Sequence, residues 1–60
     1  MQAPSIDIGH EFRERRHPRR RWRVVDHSGD RYQLVCIEEP NLVRFPGADA
    51  LLDERRYERS

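Results

Sequence analysis

The feature that most constrains the fold is a pair of apolar runs separated by a short polar turn. Residues Arg20 to Asp26 and Arg31 to Glu38 are rich in β-branched and aromatic side chains, and His27-Ser28-Gly29 lies between them. This arrangement predicts a β-hairpin. A three-residue connection with Gly29 in the left-handed conformation would pair Asp26 with Asp30.

The expected register also predicts which side chains form the core. It places Val24 beside Tyr32 and Trp22 beside Leu34, whereas a two-residue loop would split the apolar set between both faces of the hairpin. We therefore expect one buried face and one face that is basic at one end and apolar at the other. The predicted buried set is Trp22, Val24, Tyr32, Leu34 and Cys36, and the other face carries Arg21, Arg23, Val25, Arg31, Gln33, Val35 and Ile37.

Shorter patterns on either side of the hairpin predict the remaining elements. Apolar and polar residues alternate from Ile6 to Arg13, which predicts a first strand. Residues 14–19 are too charged to bury, which predicts an exposed loop or a ragged sheet edge. Residues 42–45 predict another strand. After residues 46–49 break that strand, Asp49 would cap a short helix carrying Leu51, Leu52 and Tyr57, and residues 53–59 would form its solvated end.

The length of the chain limits its domain organisation. With 60 residues, the chain has room for one small domain with a thin core. We expect residues 1–5 to be a flexible N terminus and residues 6–58 to be a single β-rich domain. No stretch approaches the roughly 20 apolar residues of a membrane-spanning helix, and the first residues lack the pattern of a signal peptide. The expectation is a soluble, cytoplasmic protein.

The order of these elements resembles that of the small SH3-like barrels, a superfold that includes Tudor-type and KOW-type modules. The resemblance covers roughly residues 6 to 52 and is carried by the element order, the tight hairpin and the ending Arg44-Phe45-Pro46-Gly47-Ala48-Asp49-Ala50-Leu51-Leu52. It implies a mainly β fold, either a small antiparallel barrel or a strongly twisted sheet, with a short C-terminal helix. It also implies that the loop after the first strand lines a binding groove.

One segment dominates the charge pattern. Seven of the eleven residues from Arg13 to Arg23 are arginine, and we call this stretch the arginine-rich segment. Between His10 and Val24, seven arginines stand against two glutamates, a formal charge of +5, while five arginines and nine carboxylates give −4 elsewhere. All twelve basic residues are arginine, whose guanidinium fork binds phosphate or carboxylate in a bidentate manner. Codon usage that favours arginine is the alternative explanation for the missing lysines.

The arginine-rich segment predicts a surface that binds a polyanion. Clustered guanidinium groups that stand unpaired and face outward would release counterions from nucleic acid on docking. The leading hypothesis is a small non-enzymatic accessory or regulatory module that binds RNA or DNA without reading its sequence, because phosphate contacts position a protein rather than specify a site. The predicted contact residues are Arg13, Arg15, Arg16, His17, Arg19, Arg20, Arg21 and Arg23.

Other interpretations of the same residues stay open. The arginines could bind an acidic protein surface or could simply be solvated. The apolar end of the second hairpin face, formed by Val25, Val35 and Ile37, needs a cover that a second copy of the chain could supply in a homodimer. Trp22 could stack on an unpaired base, although the hairpin alternation favours it as a core anchor.

Patterns for metal binding and catalysis are weak. His10, His17, His27 and Cys36 do not show the ligand spacing of a zinc site. Glu38 and Glu39 are adjacent and would point to opposite sides of a strand, which is the wrong geometry for a paired acid and base. We therefore expect no metal, no cofactor and no enzymatic activity.

Overall fold

Five strands and one short helix make up the described chain. The computed structural model of this protein describes residues 6–59, so the predicted flexible terminus at residues 1–5 lies outside the described residues. The elements are β1 (Glu11–Glu14), β2 (Arg21–Ser28), β3 (Arg31–Cys36), β4 (Val43–Arg44), α1 (Ala48–Leu51) and β5 (Tyr57–Arg59).

All five strands belong to one antiparallel sheet. Their order across the sheet is β4-β3-β2-β1-β5. The prediction of a mainly β fold with one short helix is confirmed, although a strand follows that helix. Within residues 6–59, no helix is long and apolar enough to cross a membrane.

The central hairpin forms with a different turn from the predicted one. Its turn contains two residues, Gly29 and Asp30, between the paired residues Ser28 and Arg31. Gly29 has a φ of +60°, and Asp30 does not have a positive φ, which is the combination of a type II′ turn. This turn is favoured because its twist matches that of the two strands.

A β-bulge between Val24 and Asp26 then sets the register of the rest of the hairpin. A two-residue turn by itself would place Trp22 and Val24 on the face opposite to Leu34 and Cys36. The bulge adds one residue to β2 and returns Trp22 and Val24 to the buried face. Trp22 pairs with Cys36 and Val24 with Leu34. The predicted pairings of Val24 with Tyr32 and of Trp22 with Leu34 are wrong, but the predicted buried face is largely confirmed.

The core lies on one side of the sheet and is closed by α1. Leu51 of the helix packs there, and the partly buried Tyr32 packs against the cluster. The single cysteine, Cys36, is buried with a free thiol. The buried apolar set is Ile6, Phe12, Trp22, Val24, Leu34, Cys36, Leu51 and Tyr57.

The first strand is shorter than predicted because the chain turns before it. The His10 N–H donates to the Asp7 carbonyl (3.1 Å), and Gly9 has a φ of +97°. This turn breaks the alternation, so Ile8 is 65% exposed whereas Ile6 and Phe12 are buried.

The C-terminal tail is a strand and not a helix end. β5 pairs with β1, with Tyr57 opposite Glu14 and Glu58 opposite Arg13. This pairing gives hydrogen-bond partners to the backbone N–H and C=O groups on the open edge of β1. It also brings Tyr57 into the core, where its ring lies edge-on to Phe12 at a centroid distance of 6.4 Å. The predicted cap is also wrong, because α1 begins after Gly47 without a side-chain cap and Asp49 lies in its first turn.

Candidate functional site

Two consecutive turns shape the loop of the arginine-rich segment between β1 and β2. The His17 N–H donates to the Glu14 carbonyl (3.2 Å), and the Arg20 N–H donates to the His17 carbonyl (2.8 Å). Pro18 occupies the second position of the second turn, where its fixed φ is favoured. The Glu14 N–H donates to the Arg20 carbonyl (3.1 Å) and closes the loop. The predicted loop is therefore confirmed for residues 15–19, and its backbone is held in place.

Three arginines of the segment have no partner within residues 6–59. Arg13 lies on the outer face of β1, and Arg16 and Arg19 are exposed in the loop. No hydrogen bond, ion pair or ring contact with another described residue involves their side chains. In the sheet, Arg13 stands between Arg21 of β2 and Glu58 of β5, but Glu58 forms its ion pair with Arg15. These three guanidinium groups are available to a ligand.

The other four arginines of the segment are paired with acids on neighbouring elements. The expectation that the guanidinium groups of the segment stand unpaired is wrong for these four, because folding brings glutamates of β1, of β5 and of the segment that follows β3 beside them. Glu11, for example, is the cross-strand neighbour of Arg23. The ion pairs are Arg15–Glu58 (3.7 Å), Arg20–Glu39 (3.4 Å), Arg21–Glu38 (2.6 Å) and Arg23–Glu11 (2.9 Å). Such exposed pairs contribute about 0–1 kcal/mol, so a phosphate can replace the carboxylate.

The pair between Arg21 and Glu38 has the best geometry of the four. Glu38 accepts the Arg21 backbone N–H (2.8 Å) at one oxygen and the Arg21 Nε (2.6 Å) at the other. The backbone hydrogen bond and then the side-chain hydrogen bond lower the pKa of Glu38. The hydrogen bond with Glu38 likewise raises the pKa of Arg21.

Trp22 and His17, the two aromatic rings of the segment, differ in exposure. Trp22 is 1% exposed, and its Nε1 donates to Glu14 Oε1 (3.2 Å). The interpretation of Trp22 as a core anchor is confirmed, and its ring cannot stack on an unpaired base. His17 lies exposed in the loop between the two turns, where it can reach a ligand beside Arg16.

The polar contact of Trp22 belongs to a group of four side chains on the inner side of the sheet, which we call the inner network: Glu14, Trp22, Arg44 and Tyr57. The Arg44 guanidinium carbon lies 4.3 Å from the centroid of the Trp22 ring. Arg44 Nη1 donates to Glu14 Oε2 (3.0 Å) and to the Tyr57 hydroxyl oxygen (3.1 Å). Because β4 and β5 are the two edges of the sheet, the contact between Arg44 and Tyr57 shows that the sheet curls around its core.

Burial and pairing act against each other on the charges of the inner network. Burial by itself would lower the pKa of Arg44, but the hydrogen bonds and charges of Tyr57 and Glu14 outweigh it and raise the pKa. Glu14, predicted to be in an exposed charged loop, is only 9% exposed. That prediction is wrong because the Trp22 indole and the Arg44 guanidinium together satisfy both oxygens of the carboxylate.

A cleft of about 600 Å³ opens beside the inner network, and we call it the arginine cleft. It brings Arg16 from the loop together with three arginines outside the arginine-rich segment. Two carboxylates share the cleft with these four arginines, so its lining has a formal charge of +2. The lining residues are Glu14, Arg16, Arg44, Asp53, Arg55, Arg56 and Tyr57.

Backbone hydrogen bonds hold the two arginine-bearing sides of the cleft together. The Arg15 N–H donates to the Arg56 carbonyl (2.8 Å), which continues the pairing of β1 with β5 up to the residue before Arg16. On the other side, Asp53 Oδ1 accepts the Arg55 N–H (3.0 Å) and the Arg55 Nε (3.2 Å). The side-chain hydrogen bond from Arg55 is the main cause that lowers the pKa of Asp53.

Sequence reasoning missed Arg44, Arg55 and Arg56 as candidate residues. Arg44 lies between Val43 and Phe45, and a strand pattern would place those two in the core. The structure does the reverse, since Val43 is 41% exposed and Phe45 is 62% exposed. Arg55 and Arg56 lie in a tail of alternating charge, which is typical of a solvated surface. The available signal was Tyr57, an aromatic residue in a polar tail that needs a place to pack.

The described part of the chain holds few other candidates for a site. No group of three or more potential ligands that could hold a metal ion occurs among residues 6–59. At the hairpin tip, the rings of His27 and Tyr32 stack at 4.2 Å. On the outer face of the sheet, Val35 pairs directly with the exposed Val43, which gives this face an apolar strip beside its arginines.

No protein-family model, curated protein or solved structure matches this chain.

Proposed function

We propose that this protein is a small non-enzymatic nucleic-acid-binding module, with an accessory or regulatory role, that docks on phosphates through its arginine-rich segment. The observation that carries the proposal is the set of three exposed guanidinium groups, on Arg13, Arg16 and Arg19, that have no partner within residues 6–59. The backbone of the loop is already ordered by hydrogen bonds, so its conformational entropy is not lost again on binding. The unpaired cations also need no carboxylate to leave. RNA and DNA both offer the phosphates that such a surface binds.

The paired arginines of the segment extend this contact at a cost. Arg15, Arg21 and Arg23 are about half exposed on their side chains, so a phosphate oxygen can reach them once the glutamate moves away. The carboxylates that remain nearby repel the nucleic acid and limit the affinity. We expect modest, salt-sensitive binding without base readout, because the buried Trp22 leaves the segment without an aromatic platform that is free to stack.

The proposed affiliation with the SH3-like barrels fits this function. Its support is the mainly antiparallel sheet, the element order and the position of the arginine-rich loop after the first strand. In such a barrel that loop lines the groove.

Fluorescence anisotropy with labelled 12-nucleotide RNA and DNA bearing 5′-hydroxyl ends tests the proposal. The key variant is R13Q/R16Q/R19Q, and the matched control is R20Q/R21Q/R23Q, which removes the same charge from paired arginines of the same segment. Each lost phosphate contact lowers the slope of log affinity against log salt by about 0.7 for a single strand. We expect the key variant to lower that slope by about 2 and the control to lower it by less.

Two results would count against this assignment. If the unaltered protein does not bind either oligonucleotide at low salt, the proposed function is wrong. If both triple variants lose the same affinity and the same salt slope, the unpaired arginines have no special part, and the effect is one of overall charge.

The apolar strip on the outer face favours a second function, a protein-interaction module that binds an acidic partner surface or another copy of the chain. Val35 and Val43 are directly opposite each other in neighbouring strands, and α1 packs on the core side, so it does not cover them. Sedimentation velocity at micromolar concentration, with V43K as the variant, tests the self-association. A monomer at all concentrations would remove the homodimer.

A further inference from the structure

The arginine cleft has more hydrogen-bond donors than acceptors. Arg16 is unpartnered within residues 6–59. Arg44 uses Nη1 alone for its two hydrogen bonds, so its other N–H groups have no acceptor in that range. Tyr57 accepts a hydrogen bond from Arg44, and its own hydroxyl proton has no acceptor among the described residues. The cleft therefore offers several unused donors to one anion.

The two remaining arginines of the cleft are paired at the surface with one shared carboxylate. Arg55 and Arg56 share the single carboxylate of Asp53, at 3.2 Å from the Arg55 Nε and 3.8 Å from the Arg56 Nε. The side chain of Arg55 is 89% exposed. Pairs this exposed contribute little to stability, so both guanidinium groups can turn toward an anion in the cleft without unfolding the turn that carries them.

The chemistry of the lining selects the class of anion. A phosphate monoester has three strong acceptor oxygens and a charge of about −1.5 to −2 at neutral pH, whereas a carboxylate has two oxygens and one charge. A phosphodiester within a strand has two non-bridging oxygens and continues on both sides, which a concave site accommodates poorly. The volume of about 600 Å³ is of the size that binds a small ligand.

We propose that the arginine cleft binds a phosphate monoester group, with Arg16, Arg44, Arg55, Arg56 and the Tyr57 hydroxyl as donors. The group can belong to a free mononucleotide or to the phosphorylated end of a nucleic-acid strand, and only in the second case does the inference rest on the proposed function. The phosphate takes the place of Asp53 at Arg55 and Arg56. Glu14 stays on Arg44 and keeps that guanidinium over the Trp22 ring.

Trp22 provides a reporter for this event because it is the only tryptophan in the chain and lies 4.3 Å from the Arg44 guanidinium carbon. An anion beside that guanidinium changes the electric field at the indole. Titration with adenosine 5′-monophosphate or inorganic phosphate should shift or quench the emission of Trp22, and adenosine should leave it unchanged. Isothermal titration calorimetry measures the same affinities without relying on the indole.

The discriminating variant is R55Q/R56Q, and its matched control is R20Q/R21Q, another adjacent pair of arginines that lies outside the cleft. We expect the cleft variant to weaken binding of adenosine 5′-monophosphate by at least about tenfold, since it removes two charge-assisted contacts. The control should change the affinity by less than about twofold. R16Q, which removes an unpartnered side chain and cannot unfold the protein through a lost contact, should weaken binding in the same direction.

Oligonucleotides with and without a 5′-phosphate separate the two sources of the phosphate. A preference for the phosphorylated strand that disappears in R55Q/R56Q supports the strand end as ligand. If the protein binds adenosine 5′-monophosphate but has the same affinity for the strands with and without a 5′-phosphate, the free nucleotide is supported as ligand. If adenosine 5′-monophosphate, inorganic phosphate and the 5′-phosphate all fail to bind or to add affinity, the inference is overturned, while binding of the 5′-hydroxyl strand would still support the proposed function.

Discussion

The inner network and the arginine-rich segment use the same side chain in opposite ways. In the inner network, Arg44 is stacked on Trp22 and donates to Glu14 and Tyr57, so it joins the two edges of the sheet. In the arginine-rich segment, Arg16 and Arg19 are exposed on an ordered loop without a partner within residues 6–59. The Arg44 guanidinium is held by contacts within the fold, whereas Arg16 and Arg19 have no such contact to give up on binding.

This difference shows that the number of arginines is a poor guide to the binding surface. Of the seven arginines in the segment, four form ion pairs with carboxylates from other parts of the sheet and its connections. The arginine cleft, in contrast, draws three of its four arginines from elsewhere in the chain. Pairing and burial decide the role of each guanidinium group, and both depend on which strands become neighbours.

The largest expected effect on stability comes from replacing Trp22, whose ring lies against the Arg44 guanidinium. W22A should lower the free energy of unfolding by about 3–5 kcal/mol, because Trp22 is fully buried in the core. W22F should cost less, since it keeps most of the apolar area and loses the hydrogen bond to Glu14. Urea unfolding followed by circular dichroism measures both. Equal stability of W22A and the unaltered protein would contradict the position of Trp22 in the core.

A smaller loss is expected when the arginine of the inner network is removed. R44A should lower the free energy of unfolding by about 1.5–3 kcal/mol, the range for hydrogen bonds to charged groups, because it leaves the nearly buried Glu14 without its cation. The matched control is R13A, an arginine of β1 with no partner in the described range, which should stay within about 0.5 kcal/mol. If the two variants lose the same stability, the contrast between the two regions is wrong.

Acid should lower the free energy of unfolding by less than R44A does, through loss of ion pairs such as Arg21–Glu38. The pKa of Glu38 is lowered in the folded state, so its contribution to stability is complete above the unfolded value of about 4.3 and is lost as the pH falls through the folded value. Asp53 follows the same rule. Chemical unfolding between about pH 6 and pH 2 should show a weaker pH dependence in E38Q than in E54Q, whose side chain has no partner among residues 6–59.

The smallest effect on stability is expected at the unpaired arginine of the loop. R16Q should change the free energy of unfolding by less than about 0.5 kcal/mol, yet it should weaken binding of nucleic acid and of a phosphate monoester. Thermal unfolding and anisotropy on the same sample check the two halves of this prediction. A variant that loses stability together with affinity would show that Arg16 has a structural role.

The hairpin illustrates how far the sequence pattern reaches. Alternation correctly placed Trp22, Val24, Leu34 and Cys36 in the core, because burial of one face requires a period of two. The pairing was wrong because two solutions satisfy that requirement, a three-residue loop, or a two-residue Gly29-Asp30 turn with a bulge. The consecutive residues Gly29 and Asp30 favour the two-residue turn, but no sequence pattern indicates the bulge at Val25.

The C-terminal tail was harder to predict because its structure depends on a distant partner. Residues 57–59 form a strand since the free edge of β1 needs hydrogen bonds, and nothing local in Tyr57-Glu58-Arg59 requires an extended backbone. The same event positions Arg55 and Arg56 beside the arginine-rich loop. No local sequence pattern therefore predicts the arginine cleft, whose residues come from distant parts of the chain.

Local patterning by itself determined the mainly β fold, the central hairpin, the identity of most core residues and the concentration of positive charge between residues 13 and 23, because these follow from periodicity and composition. Tertiary structure alone decided which arginines are paired, that Glu14 is buried, and that four arginines line one cleft. The physical reason is that a charge takes its role from the groups that folding brings within a few ångströms, and most of these groups are distant in sequence.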